Sequence, residues 1–383
     1  MSALTRVISL TKRSAIYVAI FFVAFLLLSF AVYIISVSIS NYLKSTKAVQ
    51  AQNGFGVIPK ATFSKISISQ SSNPQFILDN TVNLNNYPQL VNVYTLNKPK
   101  LTLNSLNTVQ TLISNMGISG ANQSSINPYT YSWTTPHHQV IFNLNDLSFN
   151  VSLLDNLSSY LNYQSNNNNG TVFNFTQASD ASNAVYSFLS GLSYQNASGD
   201  TVNLMNMNSN YFSSVPVTIN NNNIDLSNAT GTLPNAYYVF YRKHVGGYKV
   251  YGTNPYKTSI NFLIDDTTVS GLEGVLSAQF TNYTIGQSST YFILSPYQAF
   301  LRLKDGGGAL VSAYQNLNGN PYSVNYNADY SISKVYVNNI TLGYYETNVY
   351  TRYLVPIYVL SGEMYLTNGQ TLNFSYYVNA LQY

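Results

Sequence analysis

The chain has 383 residues, of which only 8% are charged, and it contains 35 tyrosines and no cysteine. Its net charge is +4, but beyond residue 40 there are fourteen basic and thirteen acidic residues, so the body is nearly neutral. This balance excludes the basic surface that a nucleic-acid partner requires. Without disulfides, stability has to come from buried apolar area, and the chain is long enough for two domains.

An uncharged apolar run over residues 14–43 follows the basic N-terminus. Its core, residues 16–37, is long enough to cross a bilayer at about 1.5 Å per residue. Three basic residues precede the run and two follow it: Arg6, Lys12, Arg13, Lys44 and Lys47. The sequence therefore predicts an inside N-terminus. It divides this region into a cytoplasmic stub (1–13), a transmembrane signal anchor that contacts membrane lipid (14–40) and a stalk (41–58).

Three segments beyond the stalk have helical periodicity. The first, residues 103–116, has one apolar face and ends at Gly117. The second, residues 179–192, begins at the capping pair Ser179-Asp180. The third begins at Ser295-Pro296 and stops at the glycines of residues 306–308.

The segments between these helices either alternate between apolar and polar residues or are rich in β-branched and aromatic residues. Both patterns predict strands, here at 140–144, 237–242, 248–251, 259–264, 276–283, 334–337 and 353–360. Gly246-Gly247 predicts a hairpin turn between the second and third of these strands. We therefore expect an α+β fold, with an N-terminal transmembrane helix followed by two antiparallel-sheet domains, each with packed helices. An Asn-rich linker (162–178) separates the first extracytoplasmic domain (59–161) from the second (179–383).

Ten Asn-x-Ser/Thr sequons are candidate glycosylation sites: Asn122, Asn150, Asn156, Asn169, Asn174, Asn196, Asn228, Asn282, Asn339 and Asn373. Seven of the ten lie between Lys100 and Arg242, a stretch that contains no Lys or Arg. Glycans there would supply the hydration that charges normally give. Because sequons matter only where a glycosylation machinery reaches them, the body is predicted to be extracellular on a single-pass cell-membrane protein.

The composition resembles that of archaeal surface-layer and filament proteins, which are rich in Tyr, Asn and Ser and poor in charge. The latter half also resembles extracytoplasmic PepSY- and YycH-like modules, through residues 238–242, 247–251, 295–300, 354–359 and 376–380. With residues 54–60 included, the chain is similar to uncharacterised membrane-anchored proteins of small-genome prokaryotes. The resemblance implies a helix leaning on a curved antiparallel sheet, in proteins that are non-enzymatic or of unknown function.

No motif in the chain indicates catalysis. Asp265-Asp266 and His137-His138 are adjacent pairs whose side chains diverge on extended backbone, so both are interpreted as turn residues. His244 is placed in the hairpin loop and interpreted as solvated. The glycines of residues 306–308 follow a helix, whereas a phosphate-binding loop precedes one. No catalytic residue, cofactor or metal site is predicted.

The sequence thus predicts a non-enzymatic cell-surface glycoprotein, a structural or assembly component of a cell envelope or surface filament. Self-assembly or protein partners at the surface are expected, since Tyr suits interfaces. One alternative is a binding or accessory subunit of a membrane complex, such as an adhesin, receptor or regulator. The other is a pilin-like filament subunit whose leader is cut near Lys12-Arg13.

Overall fold

The computed structural model describes residues 21, 23, 25–36, 50–67, 73–85, 87–98, 105–166, 175, 177–195, 200–204, 207–220, 223–226, 234–253, 255, 258–265, 271–315, 331–347 and 351–383. The chain forms two compact units, Met1–Gln50 and Ala51–Tyr383.

In the first unit the described residues before Gln50 are helical, and the continuous described stretch covers residues 25–36. None of the described helices is long and apolar enough to cross a membrane. The prediction of an N-terminal transmembrane helix is therefore corrected. The rest of the predicted span, the basic stub and the Lys12-Arg13 cleavage point lie outside the described residues.

The strands, in chain order, are β1 (Gln75–Leu78), β2 (Leu90–Asn97), β3 (Asn122–Asn127), β4 (Thr130–Thr134), β5 (His138–Asn143), β6 (Ser148–Leu153), β7 (Ser193–Gln195), β8 (Thr201–Asn203), β9 (Phe212–Asn220), β10 (Asn223–Leu226), β11 (Ala236–Tyr241), β12 (His244–Val245), β13 (Tyr248–Tyr251), β14 (Ile260–Asp265), β15 (Val275–Phe280), β16 (Thr284–Phe292), β17 (Gly308–Gln315), β18 (Ile332–Tyr345), β19 (Tyr353–Leu366) and β20 (Thr371–Asn379). The helices of the second unit are α1 (Ser105–Asn115), α2 (Leu157–Asn166), α3 (Ala178–Gly191) and α4 (Pro296–Arg302), with a 3-10 turn at Ser209–Tyr211 and a π turn at Leu303–Gly307.

The first sheet is built on β18 and β19, which pair with each other along most of their length. Its strand order is β12-β13-β18-β19-β2-β16, while β1 joins β18, β20 joins β19 and β17 joins β20. Because β1 and β13 run parallel to β18, this sheet is mixed rather than antiparallel. Its core contains Val335, Val337, Ile357 and Leu360, all fully buried, with Phe300 of α4 packed into the same cluster.

The second sheet is antiparallel throughout its described strands, in the order β10-β9-β11-β14-β15-β6-β5-β4-β3. The apolar faces of α1 and α3 cover it. Val109 of α1 and Ala181 of α3 are fully buried in one cluster with Val140, Phe142 and Val239 of the strands.

Helix α4 begins and ends as its sequence predicts. Ser295 Oγ accepts a hydrogen bond from the Gln298 backbone N–H, and Gln298 Oε1 accepts one from the Ser295 N–H, which is a capping box with proline at the first helical position. The chain leaves the following π turn at Gly306, where a φ of 80° favours glycine. In α3 the N-cap is Gln177, two residues before the predicted capping pair Ser179-Asp180.

The predicted fold class is wrong. Among the residues that the structure describes, 46% are in strands and 22% in helices, so the structure is mostly β. The two predicted domains do not each hold a sheet of their own, because β6 pairs with β15 and β2 pairs with β16 across the Asn-rich tract. Strand pairing between distant segments, which hydrophobic periodicity does not encode, joins residues 51–383 into one unit.

The chain crosses between the two sheets several times in a short stretch. It passes from β11 of the second sheet to β12 of the first, returns from β13 to β14, and leaves again from β15 to β16. Residues at these crossings are brought together where the sheets meet.

Candidate functional site

A buried polar cluster, here called the sheet junction, collects one residue from each of these crossings. Lys243 lies between β11 and β12, Ser259 directly precedes β14, and Tyr283 lies between β15 and β16. Glu346 completes the cluster and directly follows β18. All four residues are buried.

The Glu346 carboxylate is the centre of the junction. Its Oε1 accepts a hydrogen bond from the Ser259 backbone N–H at 2.8 Å, and its Oε2 accepts one from the Tyr283 hydroxyl. Lys243 Nζ lies 3.8 Å from Oε2 and 3.5 Å from the centroid of the Tyr283 ring. The lysine therefore meets both a carboxylate and the negative face of an aromatic ring.

Burial sets the electrostatics of the junction. It lowers the pKa of Lys243 to about 8, although the nearby Glu346 favours the charged lysine. Burial, followed by the Glu346 charge, raises the pKa of Tyr283 well above its ordinary value. Since Lys243 is 8% exposed and Glu346 only 2% exposed, these groups face each other rather than a solute. The arrangement suits a fixed contact between the sheets.

A groove of about 650 Å³ lies elsewhere on the second unit. One wall is the segment over residues 55–62, and the other is formed by residues near the end of β18 and the start of β19. The half-buried rings of Phe55 and Tyr353 lie 5.5 Å apart between centroids. A groove of this size with aromatic walls is typical of small-molecule binding sites.

The 55–62 wall is held in place by hydrogen bonds to the first sheet. The Tyr291 hydroxyl accepts from the Phe55 N–H at 2.9 Å and donates to the Gly56 carbonyl at 3.1 Å. The Asn379 side chain accepts from the Ala61 N–H at 2.8 Å and donates to the Ala61 carbonyl at 3.1 Å. The wall is therefore preformed without a ligand.

The groove is positively charged. Lys60 and Arg352 line it, both are exposed, and no aspartate or glutamate is among its described lining residues. The Lys60 ammonium lies 5.0 Å from the Tyr383 ring centroid, and the Arg352 guanidinium lies 5.2 Å from that of Tyr353. Each cation thus lies over a ring, and in the described part of the chain neither is within 4.0 Å of a carboxylate oxygen.

Six of the ten sequon asparagines fall on described residues. Asn122, Asn150, Asn156 and Asn339 are exposed, Asn373 is half-buried, and Asn282 is only 7% exposed. The first three belong to the stretch without Lys or Arg. The remaining four lie outside the described residues: Asn169, Asn174, Asn196 and Asn228.

The paired residues of the sequence have separate partners. His137 Nδ1 lies 2.6 Å from Asp155 Oδ2, whereas His138 is buried with Nε2 2.9 Å from the Val275 carbonyl oxygen. Within the described residues, no group of three or more His, Asp or Glu is placed to bind a metal ion. Asp265 is the fully buried last residue of β14 instead of a turn residue. His244 is a half-buried member of β12, with its ring 4.3 Å from that of Tyr211, so its interpretation as solvated is wrong.

The sequence reasoning missed both the junction and the groove. A signal for the junction was present, since Lys243 and Glu346 are two of very few charges among strongly β-patterned segments. The groove left no comparable signal, because Phe55, Lys60 and Arg352 are far apart in the chain and none belongs to a motif.

No family model and no curated protein matches the chain. Among solved structures, it is similar to an uncharacterised protein from Eubacterium rectale, at 12% sequence identity and a TM-score of 0.42. That similarity covers 81% of this chain and 90% of the other. At this TM-score it carries no argument about function, and the resemblance to PepSY- and YycH-like modules stays a prediction.

Proposed function

We propose that the protein is a non-enzymatic component of the cell surface, with residues 51–383 outside the cell as a structural or assembly element of the envelope. The observation that carries this proposal is the exposure of Asn122 and Asn150, on strands β3 and β6 of the second sheet, and of Asn156, directly before α2. These sequons lie in a stretch without a single Lys or Arg, where a solvated surface needs another source of hydration.

Two further features support a structural role. The buried ion pair between Lys243 and Glu346 gives the body a fixed contact between its sheets. The edge strand β3 is exposed at all six residues and carries no charge, so it lacks the lysines that commonly prevent pairing with another strand. Such an edge is compatible with self-assembly.

The test is recovery of the native assembly. Cells are fractionated, the envelope is extracted with a mild detergent, and complexes containing the protein are sized by native mass spectrometry. We expect the protein in the envelope fraction, either in several copies of itself or with a defined surface partner. Recovery as a monomer from the cytoplasmic fraction would overturn the proposal.

A binding or accessory subunit is the second candidate, and the preformed groove of about 650 Å³ favours it. The same experiment separates the two roles. A regular array of identical copies supports the structural role, whereas a complex of one copy with a different membrane protein supports the accessory role.

A further inference from the structure

The groove lined by Phe55, Lys60, Arg352 and Tyr353 combines three chemical features. It offers aromatic side chains, two cations that form no ion pair within 4.0 Å in the described part of the chain, and the hydroxyls of threonine residues on its lining. We infer that it binds an acidic saccharide, whose sugar rings carry carboxylates. This goes beyond the proposed function and does not depend on it.

The two cations of the groove, Lys60 and Arg352, would bind the carboxylates of an acidic saccharide. In the described part of the chain neither Lys60 nor Arg352 forms an ion pair within 4.0 Å of a carboxylate. An arginine guanidinium binds a carboxylate through two parallel N–H···O hydrogen bonds, and a lysine adds a compact positive charge. A neutral sugar would leave both cations without a counter-charge.

The aromatic and threonine side chains of the groove would contact the sugar rings. The face of an aromatic ring carries partial negative charge, so the weakly positive C–H groups on one face of a pyranose pack against it. Phe55 and Tyr353 place aromatic rings on the groove lining, and the ring surface that a sugar can reach is the part turned away from their mutual contact at 5.5 Å between centroids. Thr62 and Thr351 place hydroxyl oxygens on the same lining, where sugar hydroxyls can donate to them.

An acidic peptide is the competing occupant, and the backbone of the groove disfavours it. Extended peptides commonly bind by adding a strand to an unpaired sheet edge. Here Tyr345 pairs with Val355 of the neighbouring strand, and Tyr353 pairs with Thr95. The strands that line the groove therefore offer side chains instead of a free edge.

The wall of the groove is fixed by side chains of the first sheet. Tyr291 and Asn379 each make two hydrogen bonds to the backbone of the wall segment. Because the wall is fixed before a ligand arrives, binding does not have to order it, which lowers the entropic cost of association.

The experiment uses the purified full chain and measures binding by isothermal titration calorimetry with trigalacturonate as the probe. Maltotriose serves as the neutral sugar and tetraglutamate as the acidic peptide. We expect trigalacturonate to bind at least about tenfold more tightly than either, and its affinity to fall as salt is raised. Absence of binding by trigalacturonate, or equal binding by maltotriose or tetraglutamate, would overturn the inference.

Two substitutions locate the site. Arg352→Gln and Lys60→Gln remove one cation each at exposed positions, and each should weaken trigalacturonate binding about tenfold. Lys334→Gln, at an exposed lysine of β18 that does not line the groove, is the matched control and should leave the affinity unchanged. Unchanged binding in both groove variants, or an equal loss in the control, contradicts the assignment. Thermal unfolding of each variant checks that it folds as the parent chain does.

Discussion

Lys243 Nζ lies 3.8 Å from Glu346 Oε2, and the two residues follow strands of different sheets. A lysine and a glutamate that are both buried lose their hydration, which only mutual attraction and further hydrogen bonds offset. Glu346 obtains those hydrogen bonds from Ser259 and Tyr283. In a chain with so few charges, these two are held in the interior, where removal of one leaves the other unpaired.

Lys243→Met is expected to lower the free energy of unfolding by about 1–3 kcal/mol, because it removes the N–H groups that the lysine turns toward the buried Glu346 carboxylate in either protonation state. Urea unfolding of the purified chain measures the change. Lys249→Met, at an exposed lysine of the adjacent strand β13, is the matched control and should change stability by less than about 0.5 kcal/mol. Equal effects of the two substitutions would show that Lys243 contributes no more to the stability of the fold than an exposed lysine does.

The double variant Lys243→Met/Glu346→Gln should recover most of that loss, because the amide keeps an acceptor for the Ser259 N–H and no charge stays buried. A double-mutant cycle with Glu346→Gln alone gives the coupling energy. If the double variant is as unstable as the sum of the single variants, the two residues are not coupled and the junction is misassigned.

Stability should rise with pH between about 8 and 9.5. Burial lowers the pKa of folded Lys243 to about 8, whereas the unfolded lysine titrates near 10.5, so in this window the unfolded state binds the extra proton. Above about pH 10 the raised pKa of Tyr283 opposes the rise, since the unfolded tyrosine ionises first. Urea unfolding at pH 7.5, 8.5 and 9.5 measures the trend. The double variant should be flat over the same range, and a flat parent chain would contradict the prediction.

Local elements of this fold could be predicted from the sequence, but their assembly could not. The third helix was located because Ser295, Pro296 and Gly306 mark its ends by short-range chemistry. The Gly246-Gly247 turn was located for the same reason, with φ values of 58° and 85°. The strand over 237–242 was expected to pair across that turn, yet β11 belongs to the other sheet. Nothing local encodes that the chain changes sheets at Arg242 and Lys243.

The wall of the groove should loosen when its side-chain anchor is removed. Asn379→Ala deletes both hydrogen bonds to Ala61, which together stabilise by about 1–3 kcal/mol. Hydrogen exchange of the amides over residues 55–61 should become faster, while the core strands keep their protection. Asn338→Ala, at an exposed position of β18, is the control and should leave exchange in the wall unchanged. Unchanged exchange in Asn379→Ala would mean that other contacts hold the wall.

Glycosylation should follow exposure of the sequon. Asn122, Asn150, Asn156 and Asn339 are exposed and are expected to carry glycans, whereas Asn282 is 7% exposed and should be unmodified. Glycopeptide mass spectrometry of protein from its native cells measures occupancy at each site. Asn282 serves as an internal control for accessibility. Four unmodified exposed sites, or a modified Asn282, would contradict the expected pattern.

The sequons and the groove differ in how far the sequence could reveal their structure. Exposure of the sequons follows from their polar, β-patterned surroundings, whereas the burial of Asn282 depends on a crossing between the sheets. The groove depends on residues 55–62 folding back onto β16 and β20, contacts that span more than 200 positions of the chain. Contacts of that range are set by the tertiary fold alone.

The central claim, a body outside the cell, is tested most directly by the accessibility of its C-terminus. Tyr383 is half exposed, so an epitope tag placed after it is open to protease even if the folded body resists digestion. Intact cells are treated with proteinase K, which does not depend on the scarce lysines and arginines, with a cytoplasmic protein as the integrity control. The account predicts loss of the tag while the cytoplasmic protein stays intact. A tag that is protected until the cells are lysed would contradict it.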